Sequence, residues 1–129
     1  MTDKLIPLRI AGVGYSLPET VITNDDLTKL YETSDEWIYT RTGIKERRVV
    51  SGEQNAIDLG LEAAQNALAK AKMNPEDIDL ILAASSAPPD LYPAIACHIQ
   101  ARLGITKPIP AFDITAACSG LIYGLSIAK

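Results

Sequence analysis

The longest regular pattern of apolar positions lies between residues 55 and 73. Apolar side chains recur there at intervals of three and four residues, with most polar side chains between them, a spacing typical of an amphipathic helix. They are Ile57, Leu61, Ala64, Leu68 and Ala71. Asn74-Pro75 would end the helix, because proline cannot continue it. We expect this helix to have a packing role, since it carries no side chains typical of a catalytic site.

Three other segments have the pattern of strands. Residues 78–84 form an apolar run interrupted only by Asp79, which predicts a strand buried in a parallel sheet. Residues 109–114 predict a second buried strand of the same kind. Residues 8–14 alternate loosely and predict a strand ended by Leu17-Pro18, in which Gly12 and Gly14 indicate that another backbone packs close by.

Three helices are predicted from their boundary residues. Thr23 can cap a short helix that reaches about Tyr31, because its hydroxyl can accept from a first-turn N–H. A second helix should start at residues 33–36 and end near Gly43, and a third should run from Pro93 to Leu103. The order strand, helices, strand, helix, strand, helix predicts a layered α/β fold with a parallel sheet.

Cys118 lies where the strand of residues 109–114 turns into the last predicted helix. The small residues around it, Ala116, Ala117, Ser119 and Gly120, allow a sharp bend and leave room for another group to approach. A thiol at a helix N-terminus is favoured as the thiolate, and backbone N–H groups there can form an oxyanion hole. A small buried thiol packed at a strand–helix junction is an equally good interpretation of this stretch alone. Gly120 and Gly124 would give the last helix a flat face for a neighbouring helix.

A second candidate site lies on the helix that ends near Gly43. Thr33, Trp37 and Arg41 are spaced four residues apart, so a hydroxyl, an indole and a guanidinium should project from one helical face. Such a face suits a ligand with a flat base and phosphates, because indole stacks and guanidinium binds phosphate in a bidentate manner. The alternative is that Trp37, the only tryptophan, anchors the core and Arg41 covers it.

Composition narrows the classes of protein that the chain can represent. With 129 residues, 47% of them hydrophobic and 22% charged, it has the length of one globular domain at most. The net charge of −4 argues against a nucleic-acid partner. No apolar run reaches the roughly 18 residues of a membrane span, and the polar start argues against a secretory signal, so we expect a cytoplasmic location. Two cysteines make no disulfide framework, and no metal-ligand spacing is present.

Two motifs together resemble a known family. They are the segment Thr33-Ser34-Asp35-Glu36-Trp37-Ile38-Tyr39-Thr40-Arg41-Thr42-Gly43-Ile44 and the later Ala116-Ala117-Cys118-Ser119-Gly120. In length, order and separation they resemble β-ketoacyl-acyl-carrier-protein synthase III, the thiolase-fold enzyme that starts fatty-acid synthesis in bacteria and plastids. The resemblance covers essentially all 129 residues. It implies the first half of a duplicated thiolase-like layered fold with a parallel or mixed sheet, itself incomplete, so that residues 1–129 would be the N-terminal part of a longer enzyme.

The resemblance also implies roles for individual residues. Cys118 matches the nucleophile that takes the acyl group from acyl-CoA, Trp37 the residue stacked on the CoA adenine, Thr33 a residue that hydrogen-bonds near that ring, and Arg41 one that meets CoA phosphate. Tyr92 matches an aromatic, usually phenylalanine, that lines the acyl pocket of the partner in a homodimer. Tyrosine there departs from the family pattern, and a loop aromatic with a solvated hydroxyl is the alternative.

The family's remaining catalytic groups have no counterpart here. A histidine, an asparagine and an oxyanion-hole glycine come from the second half of the fold in the family. His98 lies mid-helix, so we expect a packed or surface histidine, and Cys97 is expected to be a core thiol. Lys45, Arg47 and Arg48 could attract CoA phosphates or an acidic carrier protein, but a solvated face is the ordinary interpretation.

The predicted function is therefore that of an acyltransferase. Cys118 would take the acyl group of an acyl-CoA primer, expected to be acetyl-CoA, for decarboxylative condensation with malonyl-acyl carrier protein, without a resident cofactor or metal. The location would be cytoplasm or plastid stroma. The alternatives are a related thiolase-fold synthase, of the polyketide-starter or hydroxymethylglutaryl-CoA type, and a non-catalytic fragment that requires its complementary half.

Overall fold

The computed structural model of the protein describes residues 8–129. These residues form two compact units. One comprises Leu17–Asn55, and the other combines residues 8–16 with Ala56–Lys129. Each unit has its own sheet.

The smaller unit is built on a pair of antiparallel strands. Strand β1 (Thr20–Thr23) is followed by helix α1 (Asn24–Thr28), helix α2 (Asp35–Thr42) and strand β2 (Glu46–Val49). The register pairs Thr20 with Val49 and Thr23 with Glu46. The pattern analysis missed both strands, although all four residues of β1 are β-branched and therefore favour a strand.

Helix α1 begins as its boundary residues predict. The Thr23 hydroxyl accepts from the backbone N–H of Asp26 at 3.2 Å, and the Asp26 carboxylate accepts from the backbone N–H of Thr23 at 3.1 Å. The Lys29 ammonium, 2.7 Å from Asp26 Oδ1, and the hydrogen bonds from Thr23 together hold the pKa of that carboxyl well below its usual range. The helix ends at Thr28, three residues before the predicted end at Tyr31.

The larger unit alternates helices and strands. Its elements are α3 (Ala56–Ala71), β3 (Ile81–Ala84), α4 (Ile95–Leu103), β4 (Ala111–Ile114) and α5 (Gly120–Ile127). Strands β3 and β4 are parallel, with Ile81 opposite Ala111 and Ala84 opposite Ile114, and α4 is the crossover between them. The predicted α/β order and parallel pairing are confirmed in this unit. With the antiparallel pair of the smaller unit, the chain has mixed sheet topology.

The parallel pair carries helices on both faces. On one face, a buried cluster of Ile57, Ile95 and Ile99 joins α3 and α4, and Ile81 and Ala83 pack against it. Because side chains alternate along a strand, Leu82 and Ala84 point to the other face. There α5 lies so close that a Cβ on Gly120 would be 2.9 Å from the Ala84 Cβ. Gly120 therefore allows strand β3 to lie close to α5. The expected neighbour at this face of α5 was another helix, and that expectation was wrong.

Residues 8–14 form no strand, because none of the described residues supplies a strand that pairs with them. The close backbone approach expected at Gly12 and Gly14 is nevertheless present. A Cβ on Gly12 would lie 2.5 Å from the Ala67 carbonyl oxygen, and one on Gly14 would overlap the Ala63 carbonyl. Both glycines thus allow this segment to lie directly on the backbone of α3.

Helix α4 begins later than expected. Its first residue is Ile95, so Pro93 lies just before the helix instead of in its first turn. Gly104, with φ of +77°, ends the helix as predicted, since glycine adopts this conformation without a Cβ penalty. Among residues 8–129, no helix combines the length and apolar character that crossing a membrane would require.

Candidate functional site

Helix α2 presents an indole and a guanidinium side by side. Ser34 caps the helix by accepting from the backbone N–H of Trp37 at 3.1 Å, and Gly43 ends it with φ of +71°. One turn apart, the Arg41 guanidinium carbon lies 4.4 Å from the centre of the Trp37 ring, and Arg41 Nη1 donates to the Trp37 carbonyl at 3.4 Å. The indole is 54% exposed. The prediction that Trp37 and Arg41 share one helical face is confirmed, and within this chain Trp37 does not anchor the core.

Thr33 does not belong to that helical face. It precedes Ser34, the N-cap of α2, and so lies outside the helix whose periodicity was used to place it. Its hydroxyl oxygen is buried and has no hydrogen-bond partner among the described residues. Placement of Thr33 on one helical face with Trp37 and Arg41 is therefore corrected. A contact between its hydroxyl and a ligand remains a prediction.

The basic residues that follow α2 are mostly committed to internal contacts. Arg47 Nη2 donates to Asn24 Oδ1 at 2.7 Å, and Arg48 Nη1 donates to the Pro18 carbonyl at 3.1 Å. The Lys45 ammonium lies 5.3 Å from the centre of the Tyr39 ring. Arg47 and Arg48 therefore hold the smaller unit together, an arrangement that the expectation of a solvated basic face did not include.

In the larger unit, Cys118 lies in a tight turn immediately before α5. Residues Ala117–Ser119 form a single 3-10 turn between β4 and the helix, and the Ser119 N–H donates to the Ala116 carbonyl at 3.0 Å. Ala117 has φ of +44°, a left-handed conformation that is strained for an L-residue with a Cβ. Cys118 is exposed. The predicted strand–turn–helix placement is confirmed, and within this chain the Cys118 side chain is exposed and not packed.

The amino end of α5 lies close to the thiol. Ser119 occupies the N-cap position, but its side chain makes no capping hydrogen bond. The first N–H groups of a helix have no partner within the helix. Here the Ser119 and Gly120 N–H groups donate to the Ala116 and Ala117 carbonyls of the preceding turn. The turn therefore holds a reachable sulfur directly before the helix.

Tyr92 lies on the segment between β3 and α4. Its side chain is 89% exposed, and the preceding Leu91 is 83% exposed. Two neighbouring apolar side chains on one loop, both almost fully accessible, are available to a partner or a ligand. The structure places Tyr92 in the same unit as Cys118, whereas Trp37 and Arg41 belong to the other unit.

Asp113 connects the loop of Tyr92 with the strand of Cys118, a connection that sequence reasoning missed. Its Oδ2 accepts from the Ile95 N–H at 2.8 Å, and its Oδ1 accepts from the Ala96 N–H at 2.9 Å. The N-cap residue of α4 is alanine, which has no side-chain acceptor. Two features of the sequence indicate this contact. They are a carboxylate in an otherwise apolar strand and a helix start without a local cap.

Cys97 and His98 have the packing roles expected of them. Cys97 is partly buried, and its Sγ donates to the Ala111 carbonyl at 3.4 Å. His98 Nε2 is buried without a hydrogen-bond partner among the described residues. Within residues 8–129, no three His, Cys, Asp or Glu side chains are grouped as metal ligands would be.

Comparison with curated proteins gives matches over nearly the whole chain. β-Ketoacyl-[acyl-carrier-protein] synthase III of Caldanaerobacter subterraneus is 51% identical over 129 residues, which is 100% of this chain and 38% of that protein. The chloroplastic β-ketoacyl-[acyl-carrier-protein] synthase III of Arabidopsis thaliana is 52% identical over 124 residues, 95% of this chain and 30% of that protein. The chain thus spans about a third of the length of these relatives. No profile of a known protein family matches it.

Solved structures give the same result. The crystal structure of 3-oxoacyl-[acyl-carrier-protein] synthase III from Aquifex aeolicus superposes with a TM-score of 0.87 at 48% identity, over 93% of this chain and 38% of that one. The priming β-ketosynthase of the R1128 polyketide pathway superposes with a TM-score of 0.88 at 32% identity, over 93% and 36%. The resemblance drawn from the two motifs and the thiolase-like α/β fold are therefore confirmed: this chain corresponds to a part of the β-ketoacyl-acyl-carrier-protein synthase III family's fold.

Proposed function

We propose that this chain is the N-terminal part of a β-ketoacyl-acyl-carrier-protein synthase III, an acyltransferase that starts fatty-acid synthesis. The observation that carries the proposal is the exposed Cys118 in its strained turn directly before α5. The names of the relatives, at about half identity over the chain, support the same assignment. No resident cofactor takes part in the proposed reaction, whose substrates are an acyl-CoA primer and malonyl-acyl carrier protein.

In the first half-reaction the Cys118 thiolate attacks the carbonyl carbon of the acyl-CoA thioester. The negative charge moves to the carbonyl oxygen, where a backbone N–H of the turn at Cys118 is proposed to donate to it. The bond to the CoA sulfur then breaks, CoA leaves as a thiolate that takes up a proton, and the acyl group remains on Cys118. A covalent intermediate divides one difficult transfer into two easier ones.

In the second half-reaction malonyl-acyl carrier protein loses CO2 and yields an enolate. Its carbon attacks the acyl-Cys118 thioester, forming the new carbon–carbon bond and releasing the Cys118 thiolate. The resemblance assigns decarboxylation to a histidine and an asparagine from the second half of the fold. The 129-residue chain alone is therefore proposed to be inactive.

The Trp37–Arg41 face is proposed to bind the nucleotide end of CoA. The accessible indole offers a surface on which adenine can stack, and the guanidinium beside it can meet phosphate oxygens. The hydroxyl of Thr33, buried and unpaired within the described residues, is proposed to form a hydrogen bond near the adenine ring of CoA. Arginine suits this role because its planar fork matches phosphate geometry.

Tyr92 is proposed to line the acyl pocket of the second subunit in a homodimer. Its almost complete exposure in this chain supports a contact made outside the chain itself. Acyl carrier protein is the second protein partner. Relatives from bacteria and from a plant chloroplast support a cytoplasmic location or, in a plant, the plastid stroma.

The proposal is tested by acyl transfer to the full-length enzyme. Radiolabelled acetyl-CoA should label the wild type and the Cys97→Ser variant at equal stoichiometry, and Cys118→Ser should remain unlabelled. Cys97 is the matched control, because it is the second thiol of the described chain and packs internally. Labelling of the Cys118→Ser variant would overturn the proposed nucleophile.

A second candidate function is supported by the likeness to the R1128 priming β-ketosynthase, which has a TM-score of 0.88. In that case the enzyme would load the starter unit of a polyketide and would prefer longer acyl-CoA primers. Comparing kcat/KM for acetyl-CoA with that for hexanoyl-CoA separates the two functions. A preference for acetyl-CoA supports fatty-acid initiation, and a preference for the longer primer supports the polyketide role.

A further inference from the structure

One buried side chain, Asn24, joins both ends of helix α2. Its Nδ2 donates to Asp35 Oδ1 at 2.7 Å and to the Ile44 carbonyl at 2.8 Å. Asp35 is the first residue of the helix, and Ile44 follows its C-cap, Gly43. An eight-residue helix is about 12 Å long, so few side chains can contact both of its ends.

Asn24 is also attached to the strand behind the helix. Its Oδ1 accepts from Arg47 Nη2 at 2.7 Å, and its backbone N–H donates to the Lys45 carbonyl at 3.2 Å. Both amide protons and the amide oxygen thus have partners, and the side chain is 1% exposed. A buried amide with all its hydrogen bonds made fixes the positions of its partners, because any displacement leaves a polar group unpaired.

Apolar packing contributes little to fixing the orientation of helix α2. None of its eight residues is buried. A helix that buries an apolar stripe is held in rotation and tilt by that stripe, but here the stripe is missing. Together with the contact between α2 and α1, the hydrogen bonds of Asn24 therefore hold both ends of α2, and with them the direction in which Trp37 and Arg41 point.

We infer that Asn24 is a positioning residue for the nucleotide end of the substrate, acting through the orientation of helix α2. The inference rests on the proposed function of the Trp37–Arg41 face. It assigns to Asn24 an effect on the recognition of thioesters that carry an adenine nucleotide and no effect on the chemistry at Cys118. A small error in orientation is costly, since a misplacement of about 1 Å can reduce a rate by up to about 10²-fold.

The inference predicts a selective loss that general destabilisation would not produce. In the full-length enzyme, Asn24→Ala should raise KM for acetyl-CoA roughly tenfold while kcat stays within about twofold, because uniform binding is lost and the chemical step is not. For S-acetylpantetheine, which has the same thioester and no nucleotide, kcat/KM should be unchanged.

A rescue variant separates positioning from folding. In Asn24→Asp alone, two carboxylates face each other at the start of α2, and KM for acetyl-CoA should rise. In the double variant Asn24→Asp, Asp35→Asn, the amide at position 35 can donate to the carboxylate at position 24, and the contact with Arg47 is kept. The Ile44 carbonyl still lacks its donor in the double variant, so KM for acetyl-CoA should return only part of the way from the Asn24→Asp value to the wild-type value.

Asn66→Ala is the matched control. Asn66 is an asparagine of the other unit, and its Nδ2 donates to the Tyr15 carbonyl at 3.1 Å. Its loss should leave KM for both substrates unchanged. Should Asn24→Ala fail to fold, the comparison of the single Asn24→Asp variant with the double variant carries the test.

Three results would overturn the inference. They are an unchanged KM for acetyl-CoA in the Asn24 variants, an equal loss for acetyl-CoA and S-acetylpantetheine, and no rescue in the double variant. A failure of the proposed function looks different: the wild type would then show the same KM for acetyl-CoA as its Trp37→Ala variant.

Discussion

Asp113 on strand β4 caps helix α4 through the backbone N–H of Ile95, which its Oδ2 accepts at 2.8 Å. The second carboxylate oxygen accepts from Ala96 at 2.9 Å, so one side chain satisfies two N–H groups of a helix that has alanine at its N-cap. The strand leading to Cys118 and the helix that follows Tyr92 are thereby joined at one carboxylate.

Replacing Asp113 should destabilise the protein. Asp113→Ala removes the cap of α4 and leaves two partly buried N–H groups without partners, so the free energy of unfolding should fall by about 1–2 kcal/mol or more. Urea denaturation of the full-length protein measures this. Asp79→Asn is the control, since the Asp79 side chain is 91% exposed and pairs only with Lys107 on the surface. Equal effects of the two substitutions would contradict the capping role.

The contact between Gly14 and α3 should tolerate no side chain. Gly14→Ala would place a methyl group against the Ala63 carbonyl and should lower the free energy of unfolding by about 1–3 kcal/mol, the usual effect of overpacking. Gly60→Ala is the comparison, because Gly60 lies within α3 and its added Cβ would meet only the flexible Ile99 Cδ1 at 3.1 Å. In Gly60→Ala the gain in helix propensity offsets that contact. In thermal unfolding, the Tm of Gly14→Ala should be well below the Tm of Gly60→Ala.

The two thiols should differ in reactivity. Cys118 is exposed at the amino end of α5, whereas Cys97 is partly buried and donates to the Ala111 carbonyl at 3.4 Å. A limiting amount of iodoacetamide should therefore alkylate Cys118 first, by at least about tenfold, since the exposed sulfur is the more accessible one. Peptide mapping by mass spectrometry gives the ratio. Preferential labelling of Cys97 would refute the assignment of the nucleophile.

Glu76 should contribute to acid sensitivity. Its Oε1 accepts from the Thr106 N–H at 2.7 Å and from the Thr106 hydroxyl at 2.9 Å, and these bonds lower the pKa of the Glu76 carboxyl. A pKa lowered by folding stabilises the native state above the unfolded value, 4.5, and that contribution is lost as pH falls through the folded value. Wild type should therefore be more stable than Glu76→Gln at pH 7, and the difference should shrink below about pH 4. A difference independent of pH would contradict this origin.

The elements predicted correctly are those whose signals are local. The stripe of α3, the Thr23 cap and the glycine that ends α2 each involve residues a few positions apart, so the pattern contains the information. The same is true of Trp37 and Arg41, which lie one turn apart. Thr33 was misplaced because the helix begins one residue after the Ser34 cap, a boundary that periodicity does not resolve.

The features that were missed depend on partners distant in sequence. Strands β1 and β2 pair across 25 residues between Ile22 and Arg47, and Asp113 caps a helix 17 and 18 positions earlier in the chain. Asn24, the first residue of α1, likewise bonds to Ile44 and Arg47. In each case, the tertiary structure decides the role of a residue whose local pattern is ordinary.

The left-handed conformation of Ala117 determines which substitutions at this position stabilise the protein and which preserve its activity. Glycine at this position would relieve about 1–3 kcal/mol of backbone strain and would look like a thermostabilising change. It would also let the neighbouring sulfur sample many directions instead of one. Selection for heat resistance should therefore favour glycine at position 117, whereas selection for turnover should favour alanine.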